Sequence, residues 1–313
     1  MTEAAAGFSL RYRQRDPAHS FRSLKPAATS AHVELINPQP ERSNKMKFVC
    51  LGYSEASCWE GKSQSELDAK REEFFAYDDE LFWRGHWAPG GQALLSAPTA
   101  KTLRWKNDKV VVTDGPYAES KEQLGGLVVL EARDLDHAVE LMSKHPGVRV
   151  GPIEIRPVNE EALKQQSEAF AECGEEAALP SARAESFACL GYIPGNNWDA
   201  IPQSELAAMI EQCAAFDKAR RRNGHWVSGI ALQGVETAKT LRLKGDNLLV
   251  TDGPFAETKE QLGGVVVNRF REMQQAVEVL SAHPALRYGV VIEIRPINEE
   301  FSARWEARQA ARV

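Results

Sequence analysis

Several signatures that would assign a reaction are missing from these 313 residues. There is no CxxC pair, no HxH or HExxH spacing, no P-loop, no GxGxxG and no GxSxG. Zinc-type metal centres, nucleotide-dependent chemistry and a serine-hydrolase elbow therefore have no support in the residue order. Apolar runs are short, and none approaches the ~18 residues that a membrane-spanning helix needs. The opening stretch MTEAAAGFSLRYRQRD carries charge where a secretory segment would be apolar, which argues against export. Basic charge is also scarce: the net charge of −6 disfavours binding to a phosphate backbone. Cysteine is sparse, with five residues (Cys50, Cys58, Cys173, Cys189 and Cys213). An odd number with no close pairing reads as free thiols in a reducing cytoplasm. These absences lead to the expectation of a cytoplasmic protein with no metal, no cofactor, no nucleic-acid partner and no membrane partner.

What the chain does contain is itself, twice. KFVCLGY (47–53) returns as SFACLGY (186–192), RGHW (84–87) as NGHW (223–226), and TAKTLR (99–104) as TAKTLR (237–242). VTDGPYAESKEQLGG (112–126) returns as VTDGPFAETKEQLGG (250–264), and IEIRPVNEE (153–161) as IEIRPINEE (292–300). The offset is 139 residues, then 138, then 139 again. Five ordered blocks at one spacing mark a tandem duplication. The repeats span 46–160 and 186–300, joined by a linker at 161–185 that reads as helical at first and then loose. Residues 1–45 have no counterpart. With seven Lys/Arg, four Asp/Glu and four prolines they predict disorder, and Met46, directly before the first strand, suggests that translation starts there. In the tail, 301–313, Arg304, Arg308 and Arg312 form one helical stripe that reads as a solvated face.

Periodicity predicts the same elements in each repeat. A short apolar strand comes first, followed by a helix opened at Ser63-x-x-Glu66 by a capping box or by Pro202. A strand follows at 86–95, then a hairpin turning at Asn107-Asp108 or Gly245-Asp246-Asn247. A strand at 127–132, a helix ended by His145-Pro146 or His283-Pro284, and a final strand complete the unit. This β-α-β-β-α-β order with an added hairpin is α+β and ferredoxin-like. Its helices cover one face of the sheet only, so the two repeats are expected to cover each other as a pseudo-dimeric barrel. The protein would then be a monomer or a weak dimer.

The DGPxAExKEQLGG block diverges least between the repeats, although it reads as a loop, and loops tolerate change more readily than cores. Its structural explanation is an Asx-type turn at Asp-Gly-Pro, one helical turn at Lys-Glu-Gln-Leu, and a Gly-Gly pair allowing close backbone approach. Its functional explanation makes Asp114 and Asp252 acid–base or anchoring groups. Arg104, Glu119 and Lys121, with Arg242, Glu257 and Lys259, are then the candidate substrate contacts. His86 and His225, each between Gly and Trp, are the candidate general bases. His145 and His283 close a helix, where an imidazole complements the helix dipole. Glu154/Arg156 and Glu293/Arg295 alternate on strands as facing ion pairs or as anion contacts.

The two DGP blocks, each followed by a strand, a helix ending His-Pro and then IEIRP, resemble the DGPF branch of the YCII-related family. The resemblance covers both repeats. It implies a dimeric α+β barrel and a bacterial cytosolic protein, in a family whose members are often encoded beside extracytoplasmic-function sigma factors. Some relatives are thought to use a histidine–aspartate pair, and one resembles a dehydrochlorinase of a chlorinated hydroquinone. The relatives' histidine lies in the first helix, near Phe74 and Cys213 here, where neither repeat has a histidine. Three readings follow: a small-molecule-binding, regulatory barrel; a cofactor-independent lyase or isomerase using His86–Asp114 or His225–Asp252; and a partner-binding module for a transcription regulator.

Overall fold

The computed structural model describes residues 45–118, 120–171, 184–195, 201–256 and 258–310. The predicted N-terminal segment (apart from Lys45), most of the loose part of the linker, Cys173, Glu119, Glu257 and Arg312 lie outside these residues. Repeat 1 runs β1 (Met46–Glu55), α1 (Gln64–Trp83), β2 (Trp87–Ala93), β3 (Lys101–Lys106), β4 (Lys109–Asp114), β5 (Glu122–Ala132), α2 (Leu135–Ser143), β6 (Ile153–Pro157) and α3 (Glu160–Ala171). Repeat 2 follows with β7 (Glu185–Pro194), α4 (Gln203–Arg222), β8 (Trp226–Ala231), β9 (Lys239–Lys244), β10 (Asn247–Asp252), β11 (Glu260–Phe270), α5 (Met273–Leu280), β12 (Val291–Pro296) and α6 (Glu299–Ala310). Among the described residues no helix is long and apolar enough to cross a membrane.

The local signals act as their chemistry requires. Ser63 caps α1, and Glu66 returns the bond to the Ser63 amide at 2.8 Å, whereas α4 follows Pro202 and has no side-chain cap. Asn107 and Asp108 both take positive φ, 51° and 58°, the geometry of the tight hairpin turn that matches strand twist. One expectation fails: Glu122-Gln123-Leu124 opens β5 instead of forming a helical turn. Strand pairing to Tyr53, Ser54 and Glu55 of β1 accounts for this. The Gly-Gly pair does permit close approach, since a Cβ on Gly126 would stand 2.8 Å from the Gln92 carbonyl oxygen.

Each sheet has six strands, ordered β10-β9-β6-β1-β5-β2 and β4-β3-β12-β7-β11-β8. The hairpins are exchanged between repeats. β9 pairs with β6 (Ile153↔Leu241), and β3 pairs with β12 (Ile292↔Leu103). Two further bridges, Leu94↔Ile297 and Val158↔Leu232, stitch the sheets together at their corners. Val49, Leu51, Leu127 and Val129 meet Ala188, Leu190, Val265 and Val267 between the sheets. Phe48 and Cys50, on the opposite face of β1, pack beneath the helices with Leu81, Leu130 and Leu141. Both faces of the central strands are therefore buried, which is why these strands read as unbroken apolar runs. The architecture is α+β: two ferredoxin-like units closed on each other as a pseudo-dimeric barrel.

Candidate functional site

The predicted histidine–aspartate pairs do not form. His86 precedes β2 at the edge of one sheet, and its Nδ1–H donates to the Glu131 carbonyl at 3.0 Å. Its ring lies against His137 at 5.0 Å. Asp114 ends β4 at the edge of the other sheet, where it pairs with Lys101 and is 85% exposed. His225 likewise donates to the Arg269 carbonyl at 2.9 Å and packs on Phe270, while Asp252 pairs with Lys239. The two aspartates brace their hairpins. In the turn that follows, the Thr102 and Thr240 hydroxyls donate to the Gly115 and Gly253 carbonyls at 2.8 and 2.9 Å.

The histidine–aspartate contact that does form is elsewhere. His145 Nε2 donates to Asp78 at 3.2 Å beneath the sheet, and its Nδ1 accepts from the Gly147 amide at 2.9 Å. In repeat 2, His283 lies 3.9 Å from Asp217 and its Nδ1 accepts from Ala285 at 3.2 Å. Burial, with Arg220 adding to it, pushes the His283 pKa down to about 3. A neutral ring that caps the next turn replaces the expected interaction with the helix dipole.

The signature loops instead reach across the molecule. After the DGP turn, the Tyr117 amide donates to Glu293 at 2.8 Å, and the Phe255 amide donates to Glu154 at 2.9 Å. Each glutamate belongs to the other repeat. On β6, Glu154 is ion-paired with Arg156, and Arg156 donates to the Leu262 carbonyl at 2.5 Å. On β12, Glu293 is ion-paired with Arg295, and Arg295 donates to the Leu124 carbonyl at 2.9 Å. All four side chains are at most 2% exposed. The alternating charges of IEIRP are thus same-face pairs two residues apart, sealed by the opposite loop.

Aromatic stacks flank these pairs. Tyr117 stacks on Tyr192 at 4.1 Å and Phe255 on Tyr53 at 4.3 Å. Burial pushes the Tyr53 and Tyr192 hydroxyls well above their ordinary pKa, and Glu154 and Glu293 respectively add to this. The Tyr117 hydroxyl donates to Glu260 at 2.5 Å. Arg104 donates to the Tyr117 carbonyl at 2.7 Å and lies over its ring. Arg242 lies over Phe255 and donates to Glu122 at 2.8 Å. These two predicted contacts do come to the site, although the protein itself occupies them. Lys121 turns away to Glu55 at 2.8 Å, and Lys259 is exposed.

Between the loops lies an open cleft of about 570 Å³, much of it continuous with solvent. Its walls come from both repeats: the four stacked rings, Gln123, Gln261, Ser120, Thr258, and the two Glu–Arg pairs. Among the described residues no cluster of His, Cys, Asp and Glu could hold a metal ion. Sequence reasoning missed Tyr53 and Tyr192, although both end the repeated CLGY. It also missed Gln123 and Gln261 as lining residues, although both lie within the signature block.

An uncharacterized protein of Rhizobium meliloti (strain 1021) is 29% identical over 117 residues, which is 36% of this chain and 92% of that protein. Among solved structures, chlorite dismutase from Candidatus Nitrospira defluvii in complex with imidazole superposes with a TM-score of 0.41 at 8% identity. The superposition covers 85% of this chain and 96% of that one. A mutant of the same enzyme gives a TM-score of 0.40 at 8% identity, with the same coverage. The family model of the YCII-related domain matches residues 46–162 and 186–300. Matched in both repeats and over well more than half its length, the chain belongs to the YCII-related domain family.

Proposed function

We propose that the chain binds a small organic molecule in the cleft between the two signature loops, and that occupancy serves a regulatory role. The observation that carries this reading is convergence. Both copies of the least-diverged segment, both buried Glu–Arg pairs and the tyrosines of both first strands meet at one concavity. Small-molecule sites are concave, mostly apolar, and supplied with a few fixed polar groups. Here the rings of Tyr53, Tyr117, Tyr192 and Phe255 supply the apolar wall. Gln123 and Gln261 spend their amide N–H groups on the loop carbonyls of Ala118 and Ala256 at 2.8 and 3.2 Å. Their amide oxygens remain as acceptors. The ligand this suits is compact and partly planar, with hydrogen-bond donors at its rim.

The test is a fragment screen on the whole chain by protein-observed NMR. Resonances of Tyr53, Tyr117, Tyr192 and Phe255 should move together, and Tyr53→Ala should abolish those shifts while leaving the fold intact. Fragments that bind only elsewhere, or equally well to the variant, would remove the cleft from consideration.

A further inference from the structure

We infer that the helices trailing each repeat act as a key: they commit repeat 1 to repeat 2 and exclude pairing of like with like. This inference is independent of the ligand reading. α6, at the end of repeat 2, docks on repeat 1. Phe301 packs on Phe75 at 4.6 Å and Trp305 on Trp87 at 4.7 Å, both pairs tilted. Arg308 donates to Asp79 at 2.8 Å and to Glu72 at 2.5 Å. α3, at the end of repeat 1, docks on repeat 2, where Phe170 meets Trp226 edge to face at 5.3 Å and Arg221 lies over the Phe170 ring.

The two docking faces are not interchangeable. At the repeat offset of 139 residues, Phe301, Trp305 and Arg308 of α6 correspond to Ala162, Gln166 and Ala169 of α3. On the receiving side, Phe75, Asp79 and Phe82 of α1 correspond to Ala214, Lys218 and Arg221 of α4. A barrel made of two copies of repeat 1 would set Ala169 against Asp79, which is 7% exposed, and take away its arginine. Removing one partner of a buried ion pair is strongly destabilising. A barrel made of two copies of repeat 2 would set Arg308 against Lys218 and offer Ala214 where Phe301 needs a ring. A lost ion pair penalises the first wrong pairing, like charges and lost packing penalise the second, and the correct pairing satisfies both faces. Specificity of this kind is a difference between competing complexes.

The test uses the whole chain with a protease site placed in the 172–183 segment. The chain is cut after folding, then denatured, refolded and weighed by native mass spectrometry. The mixed barrel should account for more than about 90% of the barrels, against about 50% for random pairing. The variant Phe301→Ala, Trp305→Gln, Arg308→Ala, which puts the α3 counterparts in place of these three docking side chains, should fall towards the random value. A random distribution for the unaltered chain would overturn the inference. The uncut chain supplies an independent arm, a thermal double-mutant cycle. Asp79→Lys and Arg308→Asp should each lower Tm, and together they should recover at least about half of the summed loss. Strict additivity would equally overturn the inference.

Discussion

The two repeats solve the same packing problem differently beneath their sheets. In repeat 1, Leu81 of α1 and Leu130 of β5 are fully buried, and Asp78 beside them takes its hydrogen bond from His145 at 3.2 Å. In repeat 2 the corresponding residues are Arg220, Asn268, Asp217 and His283. Arg220 is 4% exposed, donates to Asn268 at 2.8 Å, pairs with Asp217 and lies over the rings of Phe216 and Trp226. The Asn268 amide passes its own hydrogen to Cys189 at 3.1 Å. Two leucines have thus been exchanged for an arginine and an asparagine as a set. A buried charge is tolerable only when its partners come with it. Asp217 spends itself on the arginine, which leaves His283 at 3.9 Å.

The largest break in this comparison should come from Arg220→Leu alone. It leaves Asn268 buried and Asp217 half-buried without their shared donor, so unfolding in urea should show a loss of about 3 kcal/mol. Adding Asn268→Leu rebuilds the leucine pair of repeat 1 and should recover more than half of that loss. A double variant no more stable than the single would mean that the pair does not act as a set.

The next effect is a pH dependence that His283 adds in repeat 2. The folded pKa of His283 is depressed to about 3, against an ordinary value near ~6.5. Below that value the unfolded chain takes up a proton that the folded chain refuses. Stability from this group is therefore present above pH ~6.5 and drains away as pH falls towards 3, at up to about 1.4 kcal/mol per pH unit. Burial raises the pKa of Asp217, which works in the opposite sense: its contribution is full at low pH and is lost as pH rises through the folded value. His283→Gln removes the first trend and leaves the second, so the stability profile between pH 6 and 4 should flatten or reverse. An unchanged slope would place the acid sensitivity in other groups.

Much of this fold was legible in the sequence. KFVCLGY and SFACLGY carry apolar residues on both faces of a strand, and only a strand buried on both sides needs that. The exchange of hairpins was not legible, because TLRWKNDKVVVTDG has the same pattern whether it extends its own sheet or its neighbour's. The site was legible in part. The near-identity of the DGP block pointed to a shared duty, but recurrence cannot separate catalysis from bracing. Asp114 and His86 recur because each holds a turn or a strand end. Glu154 and Arg156 stood out as alternating charges, and their burial depends on a loop from the other repeat, which no local pattern reports.

The smallest effect tests the one ring that differs between the signature loops. Tyr117 and Phe255 occupy equivalent places, stack on equivalent tyrosines and seal equivalent glutamates. The additional hydroxyl of Tyr117 holds Glu260, whereas Glu122, opposite Phe255, is held by Arg242. Arg104, the counterpart of Arg242, is free of that duty and bonds the Tyr117 carbonyl instead. One hydroxyl here takes the place that an arginine fills in the other half. Tyr117→Phe should cost about 1.5–3 kcal/mol for the lost bond to a charged group. Arg104 should then swing to Glu260 and make the two halves alike. The Tm of the variant and the position of Arg104 in its crystal structure check the two parts separately. If Arg104 stays on the carbonyl, the asymmetry is set by the surrounding hairpins and not by the ring.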